Sequence, residues 1–153
     1  MTMALVSLTG SDTAVINGTI MTGVADGDYC TLAFDNDLAK MKTSKDGNTI
    51  YALDQTGRIV KVTMRVLLGS DTDVTLNSLL SDMLSDFASF SLMSGSFTKR
   101  VGDGSGKTHD VVYQLTGGIF KRWPNAKSNA EGDTDQSVAV YEIDFLNNSR
   151  SIQ

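Results

Sequence analysis

The stretch Arg58-Ile59-Val60-Lys61-Val62-Thr63-Met64-Arg65-Val66-Leu67-Leu68 decides the fold. Val60, Val62, Met64, Val66 and Leu68 fall on one side of an extended chain, and Lys61, Thr63 and Arg65 on the other. Successive strand side chains point to opposite faces, so this alternation predicts a strand with one apolar and one polar face. Sheets made of such strands bury one side and leave the other polar, the habit of antiparallel sheets.

Working outward, the next segment is the one convincing helix. Leu76, Leu79, Leu80, Met83, Leu84 and Phe87 recur at helical spacing, opposite Ser78, Ser81, Asp82, Ser85 and Asp86. Asp73 is the expected N-cap, with Asp71 also favouring the positive helix start. The stripe of Leu76, Leu79, Leu80, Met83 and Phe87 is expected to pack on a sheet. Strands resume over Ser91–Val101 and from Asp110 to about Phe120, joined by a Gly-rich turn, Gly102–Gly106. Val111, Tyr113, Leu115 and Ile119 are expected to share a face. After a polar loop, Asn125–Asp135, the last strand is expected over Gln136–Leu146, with Ala139, Tyr141, Ile143 and Phe145 inward and Glu142 and Asp144 outward. The tail Asn147–Gln153 reads as loose unless a neighbour orders it.

Upstream, Thr13–Met21 reads as one strand, with Ala14, Ile16 and Ile20 on one face. Val24–Asp28 is a turn cluster, and Asp28–Asp35 a second strand with Cys30, Leu32 and Phe34 together. Asp35–Asp46 is polar and dotted with Asp and Lys, and Asp46-Gly47 is a strong hairpin signal. Asn48–Asp54 is the next strand, and Gln55–Gly57 turns the chain. The tally is about seven strands and one helix, with no internal repeat and no linker. Strands in runs with a single segregated helix predict a mostly β protein, an antiparallel β-sandwich or barrel with one flanking α-helix.

Composition agrees. The chain has 153 residues, enough for one ordinary domain with a real core. Sixteen of its acidic residues are Asp and two are Glu, a bias toward turns rather than helices. The single proline, Pro124, suits long paired strands. No apolar run approaches the ~20 residues of a membrane helix, and Met1–Leu8 does not read as a signal peptide. The net charge of −5 disfavours a reader of nucleic-acid grooves.

Chemistry-bearing motifs are weak. Gly102-Asp103-Gly104-Ser105-Gly106-Lys107-Thr108 suggests a phosphate loop, but Val101 stands where that motif needs glycine and a strand follows instead of a helix. Cys30 and His109 are each the only one of their kind, so a zinc site lacks ligands. Cys30 lies on an apolar strand face, as a small buried hydrophobe does. Asp26-Gly27-Asp28, Asp71-Thr72-Asp73 and Asp133-Thr134-Asp135 are fragments of calcium loops without the full spacing. Trp123 beside Lys121 and Arg122 reads as packing or interface rather than a base-stacking site. The expectation is therefore no catalytic group, no metal and no cofactor.

Three stretches carry a family resemblance. They are Cys30–Gly47 followed by Thr49–Gly57; Arg58–Leu68 leading through Ser70 into Asn77, Leu79 and Leu80; and Phe120-Lys121-Arg122-Trp123-Pro124 before the last strand. In this order they resemble the bacteriophage tail tube family, in its contractile-tail branch, whose fold is also that of the type VI secretion tube protein. The resemblance implies one tail tube domain over residues 1–153. It implies a structural virion protein whose hexameric rings form a continuous β-barrel and stack into a tube that delivers DNA without binding it specifically. Its implied partners are itself, tail sheath, tape measure and baseplate proteins, with no membrane. Its implied place is the virion, assembled in the host bacterial cytoplasm. The segment holding Asp35, Asp37, Leu38, Lys40, Met41, Lys42, Lys45 and Asp46 is expected to be an inter-ring contact arm. The competing expectations are a tube subunit of a contractile injection or secretion system, a tail terminator, and a monomeric ligand-binding β-sandwich.

Overall fold

The computed structural model describes residues 7–8, 13–22, 30–127 and 138–153. The turn read at Val24–Asp28, the runs Asp26-Gly27-Asp28 and Asp133-Thr134-Asp135, and most of the polar loop before the last strand lie outside them. In chain order the strands are β1 (Ser7–Leu8), β2 (Thr13–Ile16), β3 (Thr19–Ile20), β4 (Cys30–Ala33), β5 (Ala39–Thr43), β6 (Thr49–Leu53) and β7 (Val60–Leu67). Helix α1 (Asp71–Ser85) follows, then β8 (Met93–Gly102), β9 (Thr108–Phe120), β10 (Asn125–Lys127) and β11 (Val138–Ile152). All pairings are antiparallel. The main sheet runs β3-β2-β8-β9-β11-β7-β4, with β1 against β8 and β10 against β11, while β5 and β6 form a separate two-stranded sheet. The fold is mostly β, an antiparallel sheet with one helix on it, as the periodicities predict.

β7 behaves as its sequence dictates. Val60, Val62, Met64 and Val66 are buried and alternate with half-buried Lys61, Thr63 and Arg65. Leu68, expected on the same face, lies past the strand end in a turn and is 49% exposed. Register with β11 places Tyr141 opposite Met64 and Ile143 opposite Val62, so two apolar faces meet in one layer. Ile16, Met93, Phe97, Leu115 and Phe120 join that layer from the other side of the sheet, and Leu76, Leu80 and Met83 cover it from α1.

The helix begins three residues before the expected cap. Ser70 is the N-cap, its hydroxyl accepting from the Asp73 N–H at 3.3 Å. Asp73 instead sits in the first turn, where its carboxylate accepts from the Gly69 N–H at 2.8 Å and from the Tyr141 hydroxyl at 2.6 Å. Burial, together with the bond to Asp73, pushes the Tyr141 hydroxyl pKa up. Thr72 is buried, and its hydroxyl exchanges hydrogen bonds with the backbone N–H and C=O of Thr22. Leu79 is half-buried against the core. Phe87 departs from the expected stripe: the helix has already ended, and Phe87 opens a 3-10 turn with 61% exposure.

Four further departures have local causes. The strand expected over Thr13–Met21 is a hairpin: Asn17 and Gly18 both adopt positive φ, 55° and 80°, the two-residue turn that matches strand twist. Ile20 therefore sits on an edge, 62% exposed, away from buried Ala14 and Ile16. In β9 the pairing with β8 slips between Met93↔Gly118 and Gly95↔Leu115, a bulge at which Gly117 takes φ +70°. The extra residue resets the period, so Phe120 is buried in place of half-buried Ile119. Phe34 lies past the end of β4 and is exposed, with its ring 6.5 Å from that of Tyr113. Finally, the tail expected to be loose is the second half of β11. It pairs with β9 from Asn147↔Thr116 to Ile152↔Val111, and Gln153 and Asp110 exchange backbone bonds of 2.9 and 3.0 Å.

Candidate assembly surfaces

The segment Asp35–Asp54 folds into a hairpin that stands apart from the main sheet. Ala39 pairs with Leu53, Met41 with Tyr51 and Thr43 with Thr49 across the ladder. The turn is held by Asp46, whose carboxylate accepts from the Ser44 hydroxyl and from Asn48 Nδ2. Gly47 takes φ +88° there. At the base, the Asp54 N–H donates to the Leu38 carbonyl at 2.8 Å. Asp54 accepts from the Thr56 hydroxyl at 2.7 Å and its N–H at 3.1 Å, opening the 3-10 turn Gln55–Arg58. These donors hold the Asp46 and Asp54 carboxyls below the usual carboxylate range. A Cβ on Gly57 would lie 2.6 Å from the Asp37 carbonyl oxygen, so the hairpin base closes tightly on a glycine.

The arm is amphipathic in an unusual sense: both of its faces meet solvent. Strand parity puts Ala39, Met41, Tyr51 and Leu53 on one face and Lys40, Lys42, Ile50 and Ala52 on the other. Tyr51 is 76% exposed, and Leu38, Met41, Ile50 and Leu53 are all exposed. The polar residues of the expected contact arm divide. Asp35 turns back to the sheet and pairs with Lys61 at 2.8 Å; Lys40 reaches Asp54 at 3.6 Å; Asp46 is spent on its own turn. Lys42 and Lys45 make no ion pair with a described residue, and Asp37 lines a groove at the hairpin base. That groove, about 590 Å³, is walled by Phe34, Leu38, Tyr113 and Arg150 among others. Arg150 donates to the Tyr113 hydroxyl at 3.0 Å and lies over the Tyr113 ring.

The main sheet is open among the described residues: its order ends at β3 on one side and at β4 on the other. Its polar face carries balanced charge. Lys61 lies between Asp35 and Asp144, its cross-strand partner, while Arg122 contacts Glu142 at 3.1 Å and Arg65 stands opposite Val140. The Lys61 ammonium holds the Asp35 carboxyl low, and Asp35 raises Lys61 in return. Oδ1 of Asp144 is buried on this face without a hydrogen-bond donor among the described residues.

Among the described residues no group of His, Cys, Asp and Glu could hold a metal ion. No helix among them is long and apolar enough to cross a membrane. Cys30 is half-buried against the core, and burial pushes its thiol up to about 12, so it is protonated and unreactive at neutral pH. The Gly-rich tip is organised by Asp103, which accepts from the Ser105 N–H at 2.8 Å and hydroxyl at 2.6 Å. The Lys107 N–H also donates to Asp103, at 3.3 Å, so the Ser105 and Lys107 amides are turned to the chain itself. Sequence reasoning missed Tyr51 and Leu53 as parts of the arm. The turn signal at Asp46-Gly47 could have found them, because a hairpin there pairs Thr49–Leu53 with Ala39–Thr43.

No family model and no curated protein matches the chain. Solved structures do. A chain in the tube-terminating cap of the anti-feeding prophage is 7% identical with a TM-score of 0.65, over 100% of this chain and 95% of that one. A chain in the extended sheath-tube complex of an extracellular contractile injection system (PVC) is 10% identical with a TM-score of 0.55, over 93% and 87%. A chain in the sheath/tube terminator of the same kind of system is 11% identical with a TM-score of 0.53, over 93% and 92%. At these identities the likeness is one of fold: the chain has the fold found in tube, terminator and cap assemblies of contractile injection systems.

Proposed function

We propose that the chain is a structural subunit that polymerises into the tube of a contractile, phage-like tail. The observation that carries this reading is the β5–β6 arm, which displays Met41, Ile50, Tyr51 and Leu53 to solvent outside the main sheet. A lone two-stranded hairpin is marginal in water, and an exposed apolar surface of this kind marks a contact. In an assembly it is covered. Copies join side by side through the open ends of the sheet, which removes the hazard of unpaired edges, and close into hexameric rings by a heterologous contact. The rings stack through the arm. The whole chain acts as one tube domain, and no residue performs chemistry.

The polar sheet face lines the bore. Lys61 is paired there with Asp35 beside Asp144, and Arg122 with Glu142, so these cations do not make a continuous track that holds phosphate, and phage DNA passes without specific binding. Tail sheath, tape measure and baseplate proteins are its partners, and the particle is assembled in the host bacterial cytoplasm. A second reading, that the chain caps or terminates such a tube, draws on the complete overlap with the tube-terminating cap.

Electron microscopy of the purified protein separates these readings. Long tubes support the tube subunit, rings that do not stack support the cap, and monodisperse monomers at all concentrations and salts sink both. Replacing Ala39–Leu53 by two glycines is allowed by the closure of Leu38 on Asp54. It is expected to leave a folded, ring-forming subunit that does not elongate.

A further inference from the structure

The receiving surface for the arm can be placed on the same molecule. β7 runs from the hairpin base at Val60 to the start of α1 after Leu67, a span of about 25 Å for eight residues. The arm and the helix start therefore lie at opposite ends of one strand. In a stack where every copy points the same way, the arm of one copy meets the helix-start end of the next. At that end is a groove of about 310 Å³ walled by Leu68, Val74, Pro124 and Ala139, with Asn77, Asp73 and Tyr141. Val74 is 63% exposed and Leu68 half-exposed, so apolar surface is uncovered at this end too.

Charge selects the same pairing. From Val66 to Thr98 the chain has no Lys, Arg or His, and it carries Asp71, Asp73, Asp82 and Asp86. The hairpin Ala39–Leu53 has Lys40, Lys42 and Lys45 against Asp46 alone. Lys42 and Lys45 make no ion pair with a described residue, and exposed Asp71 at the groove end makes none either. Asp71 and Asp73 stand at the helix start, so an arm that carries lysines is favoured there and a second, like-charged arm is disfavoured against it.

We propose that the β5–β6 arm of one copy seats its Met41–Tyr51 face in the Leu68–Val74–Pro124 groove of a second copy, with Lys45 at the arm's tip against Asp71. This rests on the tube reading and specifies its stacking contact. Each exposed pair is weak, but the contact repeats around a ring and adds by multivalency.

The test is zero-length carbodiimide cross-linking of an equal mixture of ¹⁴N- and ¹⁵N-labelled protein under conditions that give tubes, read by mass spectrometry. The expected products are mixed-isotope peptides joining Lys45 to Asp71. Tubes whose mixed-isotope links join Lys45 to other carboxylates, or lack this link altogether, overturn the inference and leave the tube reading standing. Absence of both tubes and mixed-isotope products sinks both. A charge swap supplies a second readout. Lys45→Glu is expected to cut tube mass severalfold, and addition of Asp71→Lys to restore most of it. A double variant that is folded by circular dichroism yet forms no more tube than the single variant overturns the contact.

Discussion

β7 and the β5–β6 hairpin are both antiparallel, both rich in alternating apolar and basic residues, and opposite in fate. In β7 the apolar face meets β11 and α1 and is fully buried. In the hairpin the face of Met41, Tyr51 and Leu53 is left exposed by the described residues. The same local pattern is thus a core in one place and an unpartnered surface in another. What separates them is supply of a second layer: α1 follows β7 and folds back on it, whereas the hairpin projects beyond the body. Burial makes the first region the source of stability. Exposure makes the second costly to the monomer and useful to an assembly.

Mutations can break this contrast, and the largest effect lies in the core. Leu76→Ala removes a fully buried helix side chain and is expected to cost ~2–5 kcal/mol in denaturant unfolding. A loss under ~1 kcal/mol would mean that α1 is not the lid of this core. Next comes the slot for Phe145. Gly118 faces that ring so closely that an added Cβ would lie 2.5 Å from Cε1, with the Met93 carbonyl at 3.1 Å on its other side. Gly118→Ala is expected to cost ~1–3 kcal/mol through overpacking, and an unchanged Tm would show that Phe145 can turn aside.

The hairpin should answer in the other currency. Tyr51→Ser is expected to shift monomer stability by no more than ~0.5 kcal/mol, since the ring is exposed. The same variant should shorten or abolish tubes under the electron microscope. A large drop in Tm with tubes intact would reverse the roles assigned to the two regions.

The smallest expected effect is on acidification. Asp35, Asp46 and Asp54 have carboxyls held low by their donors, at the base and the turn of the arm. A depressed folded-state pKa contributes stability that is present above the unfolded value, about 3.9 for Asp, and is lost as pH falls through the folded value. Amide protection factors in the hairpin, taken relative to intrinsic exchange at each pH, are therefore expected to fall as pH drops below about 4, before those in β7 and β11 do. Uniform loss of protection across both regions would show that these caps do not set the arm's order.

Sequence legibility follows the same division. β7, α1 and the inward face of β11 were readable because one side chain in two, or a helical stripe, was already apolar. The turn at Asp46-Gly47 was readable because its residues are chosen for their backbone angles. The Asn17-Gly18 turn carries the same signal yet hides inside an apparently regular run, Ala14, Ile16, Gly18 and Ile20, whose period of two survives the fold-back. The helix cap was misplaced because Ser70 and Asp73 are both good caps, and only the bond from Tyr141 settles which one sits in the first turn.

By itself the sequence determined most of the extended segments, the one helix and the apolar faces of β7, α1 and β11, because those follow from side-chain spacing along a single chain. Tertiary structure alone decided where each apolar face goes. The bulge at Gly117 moved Phe120 inward in place of Ile119, and pairing with β9 turned a polar tail, Asn147–Ile152, into an ordered strand. Backbone hydrogen bonds to a neighbouring strand do not depend on side-chain polarity, so no reading of that tail's composition could reveal its partner. The same physics left the arm exposed: its strands found each other, and no second layer among the described residues covers them.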